Sequence, residues 1–131
     1  MITTIYRPTR GARLAAAKAL RKHVRGLIAD ALIRYRNGAT TTRALATGEL
    51  VTITTHMIKL GADPELLRRY ASHAGKKVRE AYDTLTSGAE PTRVWTVRNG
   101  RPISVFAYAA DDQALTFGLR TYSRTAHLVT V

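Results

Sequence analysis

Residues 94–108 read VWTVRNGRPISVFAY, and this stretch decides the fold class. β-Branched and aromatic residues recur on both sides of Asn99-Gly100. An Asn-Gly pair between two such runs is the strongest short-range indication of a β-hairpin with a two-residue turn. Arg98 and Arg101 flank this turn and would lie at an exposed tip. We therefore expect an antiparallel hairpin here.

The residues after the hairpin continue the alternating pattern. Residues 109–113 read as a turn containing Asp111-Asp112, and residues 114–122 and 127–131 suit one or two further strands. Together, residues 92–131 predict an antiparallel β-meander. Its core face would carry Trp95, Phe106, Tyr108 and Phe117.

Upstream of the hairpin, apolar residues recur every three or four positions, which is the spacing of helices. Residues 12–36 predict one long helix, which Asn37-Gly38 would end. Residues 64–85 predict another, with Asp63 as its cap and Pro64 at its first position. Residues 43–61 suit either a helix or a strand, and the Gly61-Ala62-Asp63-Pro64 stop favours a helix.

The order of these elements predicts a single α+β domain over residues 1–131. Residues 1–11 would be an N-terminal arm or edge strand, and residues 12–88 the helical part. Two or three N-terminal helices would pack on a C-terminal antiparallel hairpin or meander. A winged-helix arrangement is compatible with that order.

The composition narrows the classes of function. The 131 residues include no cysteine, which excludes disulfides, thiolate metal sites and cysteine nucleophiles. No apolar run has the length of a membrane span, and no signal peptide is recognisable, so we expect a cytoplasmic protein that does not bind membranes. The four histidines are scattered, and no catalytic, metal or cofactor motif is present, which favours a protein that is not an enzyme.

The charge of the chain is polarised. The net charge is +12, and residues 1–43 hold ten of the 21 Lys and Arg side chains against one acid, Asp30. Holding like charges together costs self-repulsion, and a polyanion that releases its counterions on binding commonly offsets this cost. Nucleic acid, in particular double-stranded DNA, is therefore the expected partner.

The first helix carries the main candidate contacts. Lys18, Arg21, Lys22 and Arg25 are spaced i, i+3, i+4 and i+7, on a face opposite a stripe formed by Leu14, Val24, Ile28 and Tyr35. Arg10 and Arg13 extend this basic face at the start of the helix. Such a face can contact phosphates, although a solvated face is the ordinary alternative. An ordinary face mixes charges of both signs, and this one does not.

Two weaker patterns extend the predicted surface. Ala71 and Gly75 have the spacing of a helix-turn-helix, in which Lys76, Lys77 and Arg79 would begin a recognition helix. The alternative is a long, kinked core helix. Arg98 and Arg101 at the hairpin tip would reach an adjacent groove if the fold were a winged helix, and would otherwise be solvated turn residues.

Two further classes of function stay open. A short first strand and helices precede strands that would bear Arg120, Tyr122, Arg124 and His127. This order of elements resembles the layout of ribosome-dependent endoribonuclease toxins of the RelE/ParE type. That resemblance implies mRNA cleavage by basic and aromatic side chains on the sheet. The other class is an interaction or inhibitor module that uses its basic face against an acidic protein. The leading interpretation is DNA binding. The protein would be a regulator or accessory factor of a phage, plasmid or mobile element, and a homodimer is compatible with this role.

Overall fold

The computed structural model describes residues 7–129 and has an α+β fold, as expected. Its elements are α1 (Arg10–Thr47), β1 (Leu50–Thr52), α2 (Ile53–Lys59), α3 (Pro64–Thr86), β2 (Thr92–Arg98), β3 (Arg101–Ala109), α4 (Gln113–Thr121) and α5 (Ala126–Val129). Residues 1–6 of the predicted arm and residues 130–131 of the predicted last strand lie outside the described part.

The hairpin is confirmed, and it pairs β2 with β3 in an antiparallel register that places Arg98 opposite Arg101. Asn99 and Gly100 both have positive φ, 53° and 73°, which a tight hairpin turn between right-twisted strands requires. β1 adds to the other side of β3, so the sheet has the order β1-β3-β2. The interpretation of residues 43–61 as one helix is wrong, because they contain the end of α1, then β1 and then α2.

α1 begins close to the expected position and breaks at Gly38, so the end predicted at Asn37-Gly38 is confirmed for its first helical segment. Thr9 caps it, its hydroxyl accepting a hydrogen bond from the Ala12 amide at 3.1 Å. Gly38 takes non-helical angles (φ 80°, ψ 168°) that only glycine adopts readily. The chain then continues as helix to Thr47 in a new direction. The predicted stop is therefore a break between the two helical segments of α1.

α3 is the longest uninterrupted helix of the core. The Asp63 carboxylate accepts a hydrogen bond from the Leu66 amide at 2.8 Å, and Pro64 occupies the first turn, both as predicted. The helix runs through Gly75 without a turn, so the helix-turn-helix placed at Ala71 and Gly75 is wrong. The alternative of a long core helix is confirmed, and Gly75 lies inside it.

The second half of the predicted meander is wrong, because residues 113–121 and 126–129 are helical. Asp112 caps α4 by accepting a hydrogen bond from the Ala114 amide at 2.9 Å. The buried residues of α4 are Ala114, Leu115, Gly118 and Leu119. Their spacing is that of a helix face, which outweighs the alternation of the surrounding residues.

The core lies where α3 packs between the sheet and α4. Its fully buried members include Val51, Met57, Val78, Leu115 and Leu119. Each such side chain contributes about 1.5–3 kcal/mol relative to exposure, which fixes α3 against both neighbours. At Gly118 the helices approach so closely that an added Cβ would lie 2.5 Å from the Val78 Cα. α1 contacts the sheet rather than this core.

Candidate nucleic-acid interface

The six predicted contacts on the first helix are all exposed. The residues of α1 from Arg10 to Arg25 are solvent-exposed except Ala17, which is half-buried. We call these six residues the α1 cations: Arg10, Arg13, Lys18, Arg21, Lys22 and Arg25. None of the α1 cations forms an ion pair with a carboxylate within residues 7–129. Their charges are therefore free to meet a polyanion.

The side of α1 that faces the domain is not its apolar stripe. Ala29 is the one buried residue of α1 within the described chain, and Ile33 and Asn37 follow it at helical spacing. Leu14, Leu20, Val24, Leu27 and Ile28 are instead 44–63% exposed. The helix therefore docks through Ala29, Ile33 and Asn37 and turns the residues of its apolar stripe to solvent.

At about 100° per residue, Lys22 continues the docked face towards the start of the helix, and Lys18 and Arg25 lie at the edge of that face. Arg10, Arg13 and Arg21 fall within the angular range of the apolar stripe. The prediction that the basic residues form one face opposite the apolar stripe is therefore wrong for these three arginines. They share the side of the helix on which the exposed apolar residues lie.

On α3 most of the cations are already paired within their own helix. Arg68 and Arg69 both bind Glu65, at 2.8 and 2.7 Å, and Lys77 lies 3.9 Å from Glu80. Arg79 lies 3.9 Å from Asp83 and stacks on a ring of β3, its guanidinium carbon 5.4 Å from the Phe106 centroid. Of the three predicted contacts on α3, Lys76 alone forms no ion pair with a described residue.

The structure joins two of the separately predicted clusters. Lys76 and Arg79 of α3 and Arg98 of the hairpin line one groove of about 590 Å³. Ile53, Val105, Phe106 and Tyr108 contribute apolar walls, and burial raises the pKa of the Tyr108 phenol above its ordinary value. Arg101 is exposed across the turn from Arg98 and does not line the groove.

Three arginines outside the predicted DNA-binding set stack on aromatic rings. Arg36 lies 4.4 Å from the Trp95 ring, Arg93 4.6 Å from Phe106, and Arg124 5.3 Å from Tyr70. Such stacking contributes about 0.5–1 kcal/mol at exposed sites. These cations support the fold, so the total charge overstates what is available for a ligand.

The residues behind the ribonuclease resemblance do not lie on the sheet. Arg120 belongs to α4 and His127 to α5, while Tyr122 and Arg124 lie in the turn between them. The Tyr122 ring packs on Tyr70 at a centroid distance of 6.3 Å and on His73 at 6.4 Å. The sheet layout on which the resemblance rested is therefore absent from this part of the described chain.

The described residues form neither a metal-ligand group nor a helix suited to crossing a membrane. Within residues 7–129, no three His, Asp or Glu side chains come together as metal ligands. In the same range, no helix is both long enough and apolar enough to cross a membrane. Burial, and then the Lys59 charge, lower the pKa of His56 below its ordinary value.

We compared the sequence with family models and curated proteins, and the structure with solved structures, and found no significant match.

Proposed function

We propose that the protein binds double-stranded DNA, with the α1 cations contacting the phosphate backbone. The observation that carries this proposal is the difference between two helices of the same chain. The cations of α3 largely form ion pairs with carboxylates one turn away, whereas the α1 cations have no such partner among the described residues. Cations without an intramolecular partner contribute the most binding free energy when they replace condensed counterions on a polyanion, because no ion pair has to be broken first.

The shape of α1 supports the same function. From Arg10 to the kink at Gly38 the helix is roughly 40 Å long, and its first half packs on no other described element. Two-sided exposure lets this half lie along a duplex without displacing any contact within the domain. One turn of B-DNA spans about 34 Å, so the cations can follow the backbone over a comparable length.

The order of elements favours duplex DNA over RNA. The chain passes through a helix, a strand, two helices and a hairpin, and the sheet order is β1-β3-β2. This is the order of a winged helix, in which the helix before the hairpin approaches the major groove and the hairpin tip reaches the neighbouring backbone. Lys76 and Arg98, which line the same groove here, would supply secondary contacts. This second support is an analogy of layout, since α1 packs on the sheet instead of on α3.

A pair of matched variants tests the proposal. Arg21→Ala/Arg25→Ala removes two unpaired guanidinium groups from an exposed helix, and Arg68→Ala/Arg69→Ala removes two that are paired with Glu65. Both variants lose the same charge and the same type of side chain. We expect the first to weaken binding to a labelled duplex by at least tenfold and the second by less than threefold, measured by fluorescence anisotropy.

Equal losses in the two variants would mean that only net charge matters, and would remove α1 as the contact surface. Unlabelled duplex DNA and double-stranded RNA serve as competitors in the same assay. Stronger competition by the RNA would contradict the assignment to DNA.

A further inference from the structure

The exposed side of α1 carries six of the nine large apolar side chains that are exposed within residues 7–129. Five Leu, Val and Ile side chains are 44–63% exposed there, and Tyr35 is 86% exposed. We call these six residues the α1 stripe: Leu14, Leu20, Val24, Leu27, Ile28 and Tyr35. A DNA backbone would not cover it, because phosphates contact charged and polar groups.

The area of the stripe is large for a solvated surface. Six side chains exposed to this degree leave on the order of 500 Å² of apolar surface open, a patch size that commonly marks an interaction site. Two such patches placed face to face would bury about 1,000 Å² in total, which is the lower bound for a specific interface.

The spacing along this side of α1 matches a helix–helix seam. Leu20, Val24 and Leu27 of the stripe, with Ala17 before them and Ala31 after them, follow one another at intervals of three, four, three and four residues. This alternation produces the self-complementary packing of two helices. The stripe also points away from Ala29 and Asn37, through which α1 docks on its own domain. A second copy can therefore approach without meeting the first domain.

Charge decides the direction of the second helix. A parallel pair would place Arg10, Arg13 and Arg21 beside their own copies. An antiparallel pair places the cationic first half of each helix beside the second half of the other. The second half, residues 25–37, has three arginines and Asp30, a net charge of +2, against +5 for residues 10–24, so the antiparallel arrangement reduces repulsion.

We propose that two copies of this chain pair through their α1 stripes, antiparallel and centred near Val24. The pairing supplies the packing partner that the first half of α1 lacks in one copy. Lys18, Lys22 and Arg25 lie on the side of α1 away from this seam and stay exposed in the pair. The proposal concerns the protein without any nucleic acid, and it stands or falls independently of DNA binding.

Sedimentation equilibrium of the full chain tests the pairing. At about 0.5 M salt, which screens repulsion between the cations, we expect twice the monomer mass of 14.4 kDa at micromolar concentration. Leu20→Gln/Leu27→Gln replaces two stripe residues with polar residues that favour helices, so that the fold is retained. This variant is expected to raise the dissociation constant at least 30-fold.

The matched control changes two equally exposed apolar residues elsewhere, Ile58→Gln/Leu85→Gln, which are 56% and 51% exposed. The control should dimerise like the unmodified chain. A monomeric unmodified chain, or equal loss in the two variants, would overturn the proposal. Circular dichroism of each variant confirms that its helices are intact.

The relative direction of the two α1 helices can be measured as a distance between two spin labels. The chain has no cysteine, so Ala12→Cys introduces a single site for a spin label. An antiparallel pair centred on Val24 separates the two labels by about 35 Å, whereas a parallel pair brings them within roughly 20 Å. A short distance would overturn the antiparallel arrangement.

Discussion

The side-chain amide of Asn37 pairs with both backbone groups of Trp95. Its Oδ1 accepts a hydrogen bond from the Trp95 N–H at 2.7 Å, and its Nδ2 donates one to the Trp95 carbonyl at 2.9 Å. β2 is an edge strand of the described sheet, so Asn37 occupies hydrogen-bonding groups that a further strand would otherwise use. This one side chain both protects the edge and attaches α1 to the domain.

Replacing Asn37 with Ala removes both bonds and leaves two half-buried backbone groups without their partner. We expect Asn37→Ala to lower the free energy of unfolding by about 1–3 kcal/mol in urea titration. Amide hydrogen exchange at Trp95 should become faster. Asn37→Asp keeps the acceptor and loses the donor, so an intermediate loss is expected. An unchanged exchange rate in Asn37→Ala would refute the attachment.

The contact between Gly118 of α4 and the backbone of Val78 on α3 gives a second prediction. A Cβ at position 118 would lie 2.5 Å from the Val78 Cα and 2.7 Å from its nitrogen, and backbone atoms cannot move aside cheaply. Gly118→Ala should therefore lower the free energy of unfolding by at least about 2 kcal/mol, as overpacking of a well-packed core does. Thermal denaturation followed by circular dichroism measures the loss.

Gly75→Ala is expected to have the opposite sign. The nearest atom to an added Cβ is the Ile53 Cγ2 at 3.6 Å, an ordinary contact, and Gly75 has helical neighbours on both sides. Alanine favours a helix interior over glycine by about 0.5–1 kcal/mol, so the variant should be stabilised by up to that amount. Destabilisation would instead support a turn at Gly75.

His56 predicts how stability depends on pH. Burial, and then the nearby Lys59, hold the pKa of His56 below its ordinary value of 6.5, so the folded state binds fewer protons than the unfolded state as pH falls below that value. Its contribution to stability is present above pH 6.5 and is lost as the pH falls towards the lowered pKa. Urea titrations at descending pH should show this loss, and His56→Gln should reduce it.

The salt dependence of DNA binding reports the number of phosphate contacts. Replacing Lys18, Arg21, Lys22 and Arg25 together by Ala should reduce the slope of log K against log salt by about 3–4 units. Titrations between about 50 and about 200 mM salt give the slope. A slope that stays the same would show that these four residues do not contact phosphates.

Local patterns predicted the parts of the fold that local interactions determine. The Asn99-Gly100 turn and the Asp63-Pro64 start of α3 depend on residues within four positions of each other, and both are confirmed. α4 was missed because alternation after the hairpin outweighed the Asp112 cap and the spacing of Ala114, Leu115, Gly118 and Leu119. The cap followed by this spacing was the signal that could have identified the helix.

The candidate site was predicted unevenly for the same reason. The exposure of the α1 cations follows from their charge and helical spacing. Which side of α1 docks depends on Asn37 meeting Trp95, 58 residues further along the chain, and no local pattern specifies that contact. The groove that unites Lys76 and Arg98 likewise depends on how α3 lies across the sheet.

The joint between α1 and the sheet also contains the single tryptophan of the chain. The guanidinium group of Arg36 stacks on that indole, and the amide of Asn37 holds its backbone. Undocking of α1 would remove a cation from the ring and admit water, which changes both the wavelength and the yield of indole emission. The chain thus has a built-in fluorophore that can follow movement of α1 in real time, without chemical labelling.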